Sequence, residues 1–190
     1  VMRRLAAPAA LLAVLLLAGC TQSGAQASDP GGVSIDGVEE WHHPTTAPVS
    51  FSGPTADGGT FRSSTYAGQV LVVNFWYAGC GPCIAEAPDL ERVAKDFAGK
   101  GVQFVGVNIR DEAGEAQSFA TQHRVSYPSI VDQANGGAAQ LAFADSIQPN
   151  ATPTTLVVGR KGRVIGRILG PINESVLATL IKSARSGQDS

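Results

Sequence analysis

The chain has 190 residues, 44 % of them hydrophobic, with a formal net charge of −2 and three cysteines. That length predicts one folded domain, and that apolar fraction is enough to bury a real core. The slightly acidic balance, with no basic patch, argues against a nucleic-acid partner, and three cysteines cannot make a four-cysteine zinc site.

Residues 1–19 read as a targeting segment and are set apart from the fold. Arg3 and Arg4 supply its positive region. Leu5 to Ala18 is apolar but too short for a comfortable membrane span. The run closes on Leu17-Ala18-Gly19-Cys20, which resembles the lipobox of bacterial lipoproteins. That resemblance implies cleavage before Cys20 and a diacylglyceryl group on its sulfur, an anchor to the membrane and a use for the odd cysteine. An ordinary secretory signal beside a chance cysteine is the alternative. From Thr21 to about Pro48 the chain is rich in Gly, Ser, Gln, Ala and Pro and has little apolar periodicity. Residues 20–46 are therefore expected to be a lipidated flexible tether, reaching roughly 30 Å as a coil. His42 and His43 fall inside it with nothing nearby to complete a metal site, so no metal is expected.

The folded domain is expected over 47–186. Val49-Ser50-Phe51 and Thr60-Phe61-Arg62 are predicted as short strands about the turn signal Asp57-Gly58-Gly59. Val70 to Phe75 is an unbroken apolar run, the mark of a buried strand, and Trp76 follows it as an aromatic support for the next loop. A helix is expected from about Pro82 to Phe97, kinked at Pro88 and ended by Gly99 and Gly101. Val102 to Ile109 is a strand. Glu112 to His123 is a helix with Ala116, Phe119 and Ala120 on one side, and His123 is a favourable charge at its end. Ser129 to Val131 is a short strand led in by Tyr127-Pro128, and Ala138 to Phe143 a loose helix. Thr154 to Val158 and Arg163 to Leu169 form a hairpin, and Glu174 to Ala184 a last helix capped by Asn173. Alternating strands and helices predict an α/β domain whose central sheet is covered on both faces.

Cys80-Gly81-Pro82-Cys83 lies at the junction of the buried strand and the long helix. A helix starting near Pro82 points free N–H groups and its positive dipole end at Cys80. That favours thiolate over thiol and lowers the pKa of Cys80. Cys83, inside the first turn, is expected to be more buried and less acidic. The pair reads as redox-active: Cys80 attacks a partner's disulfide, and Cys83 then releases the mixed disulfide. A structural disulfide and half of a zinc site are the other readings.

The element order and Trp76, Cys80, Gly81, Pro82 and Cys83 together resemble the thioredoxin superfamily, and within it the TlpA/ResA-like membrane-anchored thiol–disulfide oxidoreductases. The resemblance covers Ala47 to Ala184. It implies a thioredoxin fold: a central mixed sheet flanked by helices, an N-terminal hairpin, and a central helix–strand insert over Glu112 to Val131. Many relatives carry Trp directly before the first cysteine, where this chain has Gly79. Cys83, Glu86 and Pro88 match the family's Cys-x-x-Glu-x-Pro pattern, which implies that Glu86 assists proton transfer at the cysteines. Shielding from water would raise the pKa of such a carboxyl. Ordinary thioredoxins place a buried Asp on the preceding strand, where this chain has Asn74, which does not titrate. Base rates predict a trans bond before Pro153. The position of Ala151-Thr152-Pro153-Thr154 resembles the family's cis-proline loop, which implies a cis bond and a Thr152 backbone left to pair with a bound peptide. Thr152, Pro153 and Trp76 are thus assigned to substrate binding.

The expectation is a lipid-tethered extracytoplasmic enzyme that needs no cofactor. Its partners are thiols and disulfides of exported proteins and a membrane thiol electron carrier. Gly-Pro between the cysteines resembles reducing thioredoxins, which favours a reductase, and relatives of this kind keep apocytochrome c reduced. An oxidase that installs disulfides is the nearest rival. A metallochaperone on the same fold would use Cys-x-x-x-Cys with a distant histidine, one residue more than the spacing here. Paired cysteines argue against a peroxidase.

Overall fold

The computed structural model describes residues 32–35, 37–41, 47–148 and 151–187. The targeting segment, Cys20 and the first part of the expected tether lie outside the described residues. The strands are β1 (Gly32–Ile35), β2 (Val38–Trp41), β3 (Ser52–Pro54), β4 (Thr60–Arg62), β5 (Val70–Trp76), β6 (Val102–Asn108), β7 (Ser129–Val131), β8 (Thr154–Val158) and β9 (Val164–Leu169). The helices are α1 (Gly81–Phe97), α2 (Ala113–His123), α3 (Ala138–Ala142) and α4 (Glu174–Ser186).

One mixed sheet runs β1-β2-β9-β8-β5-β6-β7. β5, β6 and β7 are parallel, and β8 lies antiparallel to β5 on its other side. Every residue of β5 is buried, because successive side chains of a strand alternate between two covered faces. Val70, Val72 and Phe104 meet Leu90, Phe97, Leu177 and Ile181 of α1 and α4. Leu71, Val73, Phe75 and Val105 meet Phe51, Phe61 and Phe143 on the other side. The α2 helix packs beside α1, with Ala116 and Phe119 against Cys83 and Ala87. The α1 helix continues through Pro88 to Phe97. Asn173 caps α4 as expected, accepting the N–H groups of Ser175 and Val176.

Two expectations need correction. Residues 32–41, expected within the tether, form the antiparallel pair β1–β2, and β2 pairs with β9 at the sheet edge. Val33, Ile35 and Val38 alternate with polar residues about Asp36-Gly37, a hairpin signal obscured by the Gly- and Ser-rich composition around it. Val38 packs onto the core under α1 and α4. The first strand of the β3–β4 hairpin is Ser52–Pro54 rather than Val49–Phe51, with Pro54 opposite Thr60. Thr55 N–H closes the turn on Gly59 O at 3.0 Å, so the loop is 55–59; the expected pairing would have required a longer one. Gly53 lies where a Cβ would come within 2.5 Å of Ile130 Cγ2, so only glycine allows this close approach.

Candidate active site

The carboxyl end of β5 feeds directly into the cysteine loop. Cys80 is the N-cap of α1, with extended backbone (φ −82°, ψ 105°), and Pro82 occupies the first turn. Cys80 Sγ accepts the N–H of Cys83 at 3.2 Å. The sulfur thus sits on an amide at the positive end of a seventeen-residue helix, where a thiolate is stabilised once the pair is reduced. The two sulfurs are bonded to each other. Cys80 and Cys83 are almost equally buried, 3 % and 2 % exposed. The expected contrast between an open and a sheltered cysteine is therefore absent in this oxidised pair.

Glu86, three residues beyond Cys83 on α1, turns into the protein and is 2 % exposed. Its Oε1 accepts Asn74 Nδ2 at 2.8 Å, and its Oε2 accepts the Ile172 N–H at 3.0 Å. Loss of water pushes its pKa up to about 7, against the opposing effect of those two hydrogen bonds. A solvated helix carboxylate is thereby excluded. Asn74 also donates to Thr155 Oγ1 at 3.1 Å, so the amide at the non-titrating position holds the titrating one. A cavity of about 10 Å³ under the loop is lined by Cys83, Asn74, Trp76, Phe119 and Tyr127. Both Cys83 and Asn74, the amide that holds Glu86, are in its wall.

The Thr152–Pro153 bond is cis. Thr154 pairs with Phe75, one residue before Trp76, so this proline loop lies at the same end of the sheet as the cysteines. Trp76 is only 4 % exposed, with its ring 4.3 Å from that of Phe119. It packs beneath the loop, in one cluster with Cys80 and Cys83.

A group of residues missed in the sequence clasps the loop from the β6 side. Asp111 Oδ2 accepts the Ala78 N–H at 2.5 Å and Asn108 Nδ2 at 2.7 Å. Asn108 Oδ1 accepts the N–H groups of Arg110 and Asp111. The Arg110 guanidinium lies 4.1 Å from the centre of the Tyr77 ring, a cation–π contact. Of this group only Asn108 carried a signal: it ends β6, and functional residues gather beyond the carboxyl ends of adjacent parallel strands. On the next part of α1, Glu91 is 5 % exposed. It accepts Ser126 N–H at 2.8 Å and the Ser126 hydroxyl at 3.1 Å, tying the α2–β7 insert to α1.

The redoxin family model matches residues 44–181 of the chain. The chain is similar to the thiol:disulfide interchange protein HelX of Rhodobacter capsulatus, at 28 % identity over 190 residues covering 96 % of this chain and 98 % of HelX. It is similar to the thiol-disulfide oxidoreductase ResA of Bacillus subtilis, at 26 % identity over 134 residues, 70 % of this chain and 72 % of ResA. Among solved structures it is similar to a thiol:disulfide interchange protein of the thioredoxin family from Chlorobium tepidum, at 31 % identity and a TM-score of 0.66, covering 75 % of this chain and 97 % of that one.

Proposed function

The chain belongs to the redoxin family and is a thiol–disulfide oxidoreductase of thioredoxin fold, and from that premise we propose that it reduces disulfides of exported proteins outside the cytoplasmic membrane, held there by a lipid on Cys20. The observation that carries the reading is Cys80 Sγ resting on the Cys83 amide at the mouth of α1, 3.2 Å away. In the reduced enzyme the Cys80 thiolate attacks one sulfur of the partner's disulfide. That bond breaks, a mixed disulfide forms on Cys80, and the departing partner thiolate takes up a proton. Cys83 gives its proton to the Glu86 carboxylate and attacks Cys80 Sγ. The internal disulfide closes, and the second partner thiolate leaves and is protonated. Two electrons pass from the Cys80–Cys83 dithiol to the partner, and a membrane thiol carrier returns them. The Thr152 backbone beside cis Pro153 pairs with the bound peptide. Apocytochrome c is the substrate suggested by family analogy.

Direction is tested by the equilibrium potential of the pair against glutathione. A reductase of this fold lies near about −270 mV, whereas a value near about −120 mV would make it the oxidase instead. A Cys83→Ala variant is expected to hold a partner on Cys80 that mass spectrometry identifies. Failure to trap any partner would sink the exchange reading.

A further inference from the structure

Near the start of α1 an open groove of about 360 Å³ runs between α1 and α2, with Ala78 and Ile84 on one side and Gly114, Glu115, Ser118, Phe119, Gln122 and His123 on the other. That volume falls in the range of ligand clefts, about 300–1,000 Å³. Ile84 is 39 % exposed, one of two large apolar side chains so exposed among the described residues. It sits one helical turn below the nucleophile, its N–H donating to Cys80 O at 3.0 Å. Phe119 forms the floor and also walls the inner cavity beside Cys83, so the groove and the redox pair share one aromatic partition. Gly79 leaves the approach open: the nearest atom a Cβ there would meet is in the Tyr77 ring, at 3.6 Å.

We propose that this groove receives an apolar side chain of the partner polypeptide, near the cysteine that joins Cys80 in the mixed disulfide. The proposal rests on the exchange reaction and adds a selectivity for the residues that flank the target cysteine. Its geometry follows from the chemistry. A partner cysteine bonded to Cys80 places its Cα about 4.4–6.8 Å from the Cys80 Cα. A residue two positions along an extended chain lies about 7 Å further, and Ile84 lies about one helix pitch, roughly 5.4 Å, from Cys80. A side chain two residues from the target cysteine is therefore within reach of Ile84. The groove is built by α2, part of the helix–strand insert, and Glu91 holds that insert to α1 through Ser126.

The test uses the reduced full chain and three disulfides. Two are disulfide-linked octapeptide dimers, identical except for leucine or glycine two residues either side of the cysteine. The third is oxidised glutathione. The leucine peptide is expected to react about tenfold faster than the glycine peptide in kcat/KM. Ile84→Ser, which removes the apolar wall, and Ser118→Phe, which fills the groove, are each expected to bring that ratio to within about twofold of one. Both positions are solvent-facing, so the fold tolerates them. Equal rates for the two peptides with the unmodified chain, or a tenfold preference surviving in both variants, overturns the groove while leaving the exchange chemistry standing. A self-associating chain that Ile84→Ser makes monomeric in sedimentation velocity, with no peptide preference, assigns the groove to a second copy and overturns the proposal. No reaction with any of the three disulfides overturns the exchange reading as well.

Discussion

Glu86 has a pKa of about 7 where its ordinary value is 4.5, chiefly because burial strips it of water. Between those two values the folded chain keeps a proton that the unfolded chain has lost. Stability therefore falls as pH rises through that window, with the cost absent below 4.5 and complete above 7. Its size is at most about 3 kcal/mol. Glu86→Gln is expected to flatten this slope in urea denaturation compared at pH 4.5 and 8. A single amide oxygen cannot replace both carboxylate acceptors, so the variant also carries a pH-independent loss of about 1 kcal/mol. The same substitution is expected to remove an inflection near neutrality from the pH profile of disulfide reduction. A stability slope and a rate profile that both match the unmodified chain would make Glu86 a spectator.

Asp111 belongs to an element rather than to a reacting atom: it clamps the loop between β5 and α1 onto the loop after β6. Asp111→Ala leaves the Ala78 N–H and Asn108 Nδ2 without their acceptor, an expected cost of about 1–3 kcal/mol. Asp111→Asn keeps an oxygen there and is expected to recover more than half of the loss, read from urea midpoints. Equal losses in the two variants would assign the effect to the charge and not to the hydrogen bonds. The same comparison of elements explains what the sequence made legible. Val70–Trp76 and Val102–Asn108 were readable because strands buried on both faces carry nearly unbroken apolar runs. The Cys80–Cys83 pair and Glu86 were readable because helix spacing puts them on one element. Asp111 was not, since its partner Ala78 is thirty-three residues away and offers only a backbone amide, which carries no sequence signature. Ile84 was hidden for a related reason: an apolar residue on α1 reads as core until the position of α2 shows it at a groove. The β1–β2 hairpin was lost to composition, since each strand is only four residues long and β2, Val-Glu-Glu-Trp, does not alternate with period two.

At the scale of the molecule, strand directions put the redox pair and the chain's entry point at opposite poles. Cys80 follows the carboxyl end of β5, whereas Leu71 near its start pairs with Val158, where the β8–β9 turn begins. At that far pole the Val49 N–H donates to Gly162 O at 2.7 Å. Gly32 pairs with Trp41, and β2 runs from Ile168 toward the start of β9, so Gly32 lies toward this pole as well. Residues 21–31 between Cys20 and Gly32 can span at most about 40 Å. A lipid on Cys20 would then tether the protein from the far pole, the one with Arg160 and Lys161 in its turn, and the pole with Cys80 is the one more distant from the anchor. Cys20→Ser is expected to move the protein from the membrane to the soluble fraction. Because Cys20 takes no part in the Cys80–Cys83 bond, the potential of the pair is expected to stay unchanged. On intact vesicles, a membrane-impermeant maleimide is expected to label Cys80 of the reduced, lipidated protein within about twofold of its rate on the Cys20→Ser protein, as an outward-facing thiol requires. Persistent pelleting of Cys20→Ser with membranes would remove the anchor, and marked protection of Cys80 in the lipidated form would mean that the redox pole faces the bilayer.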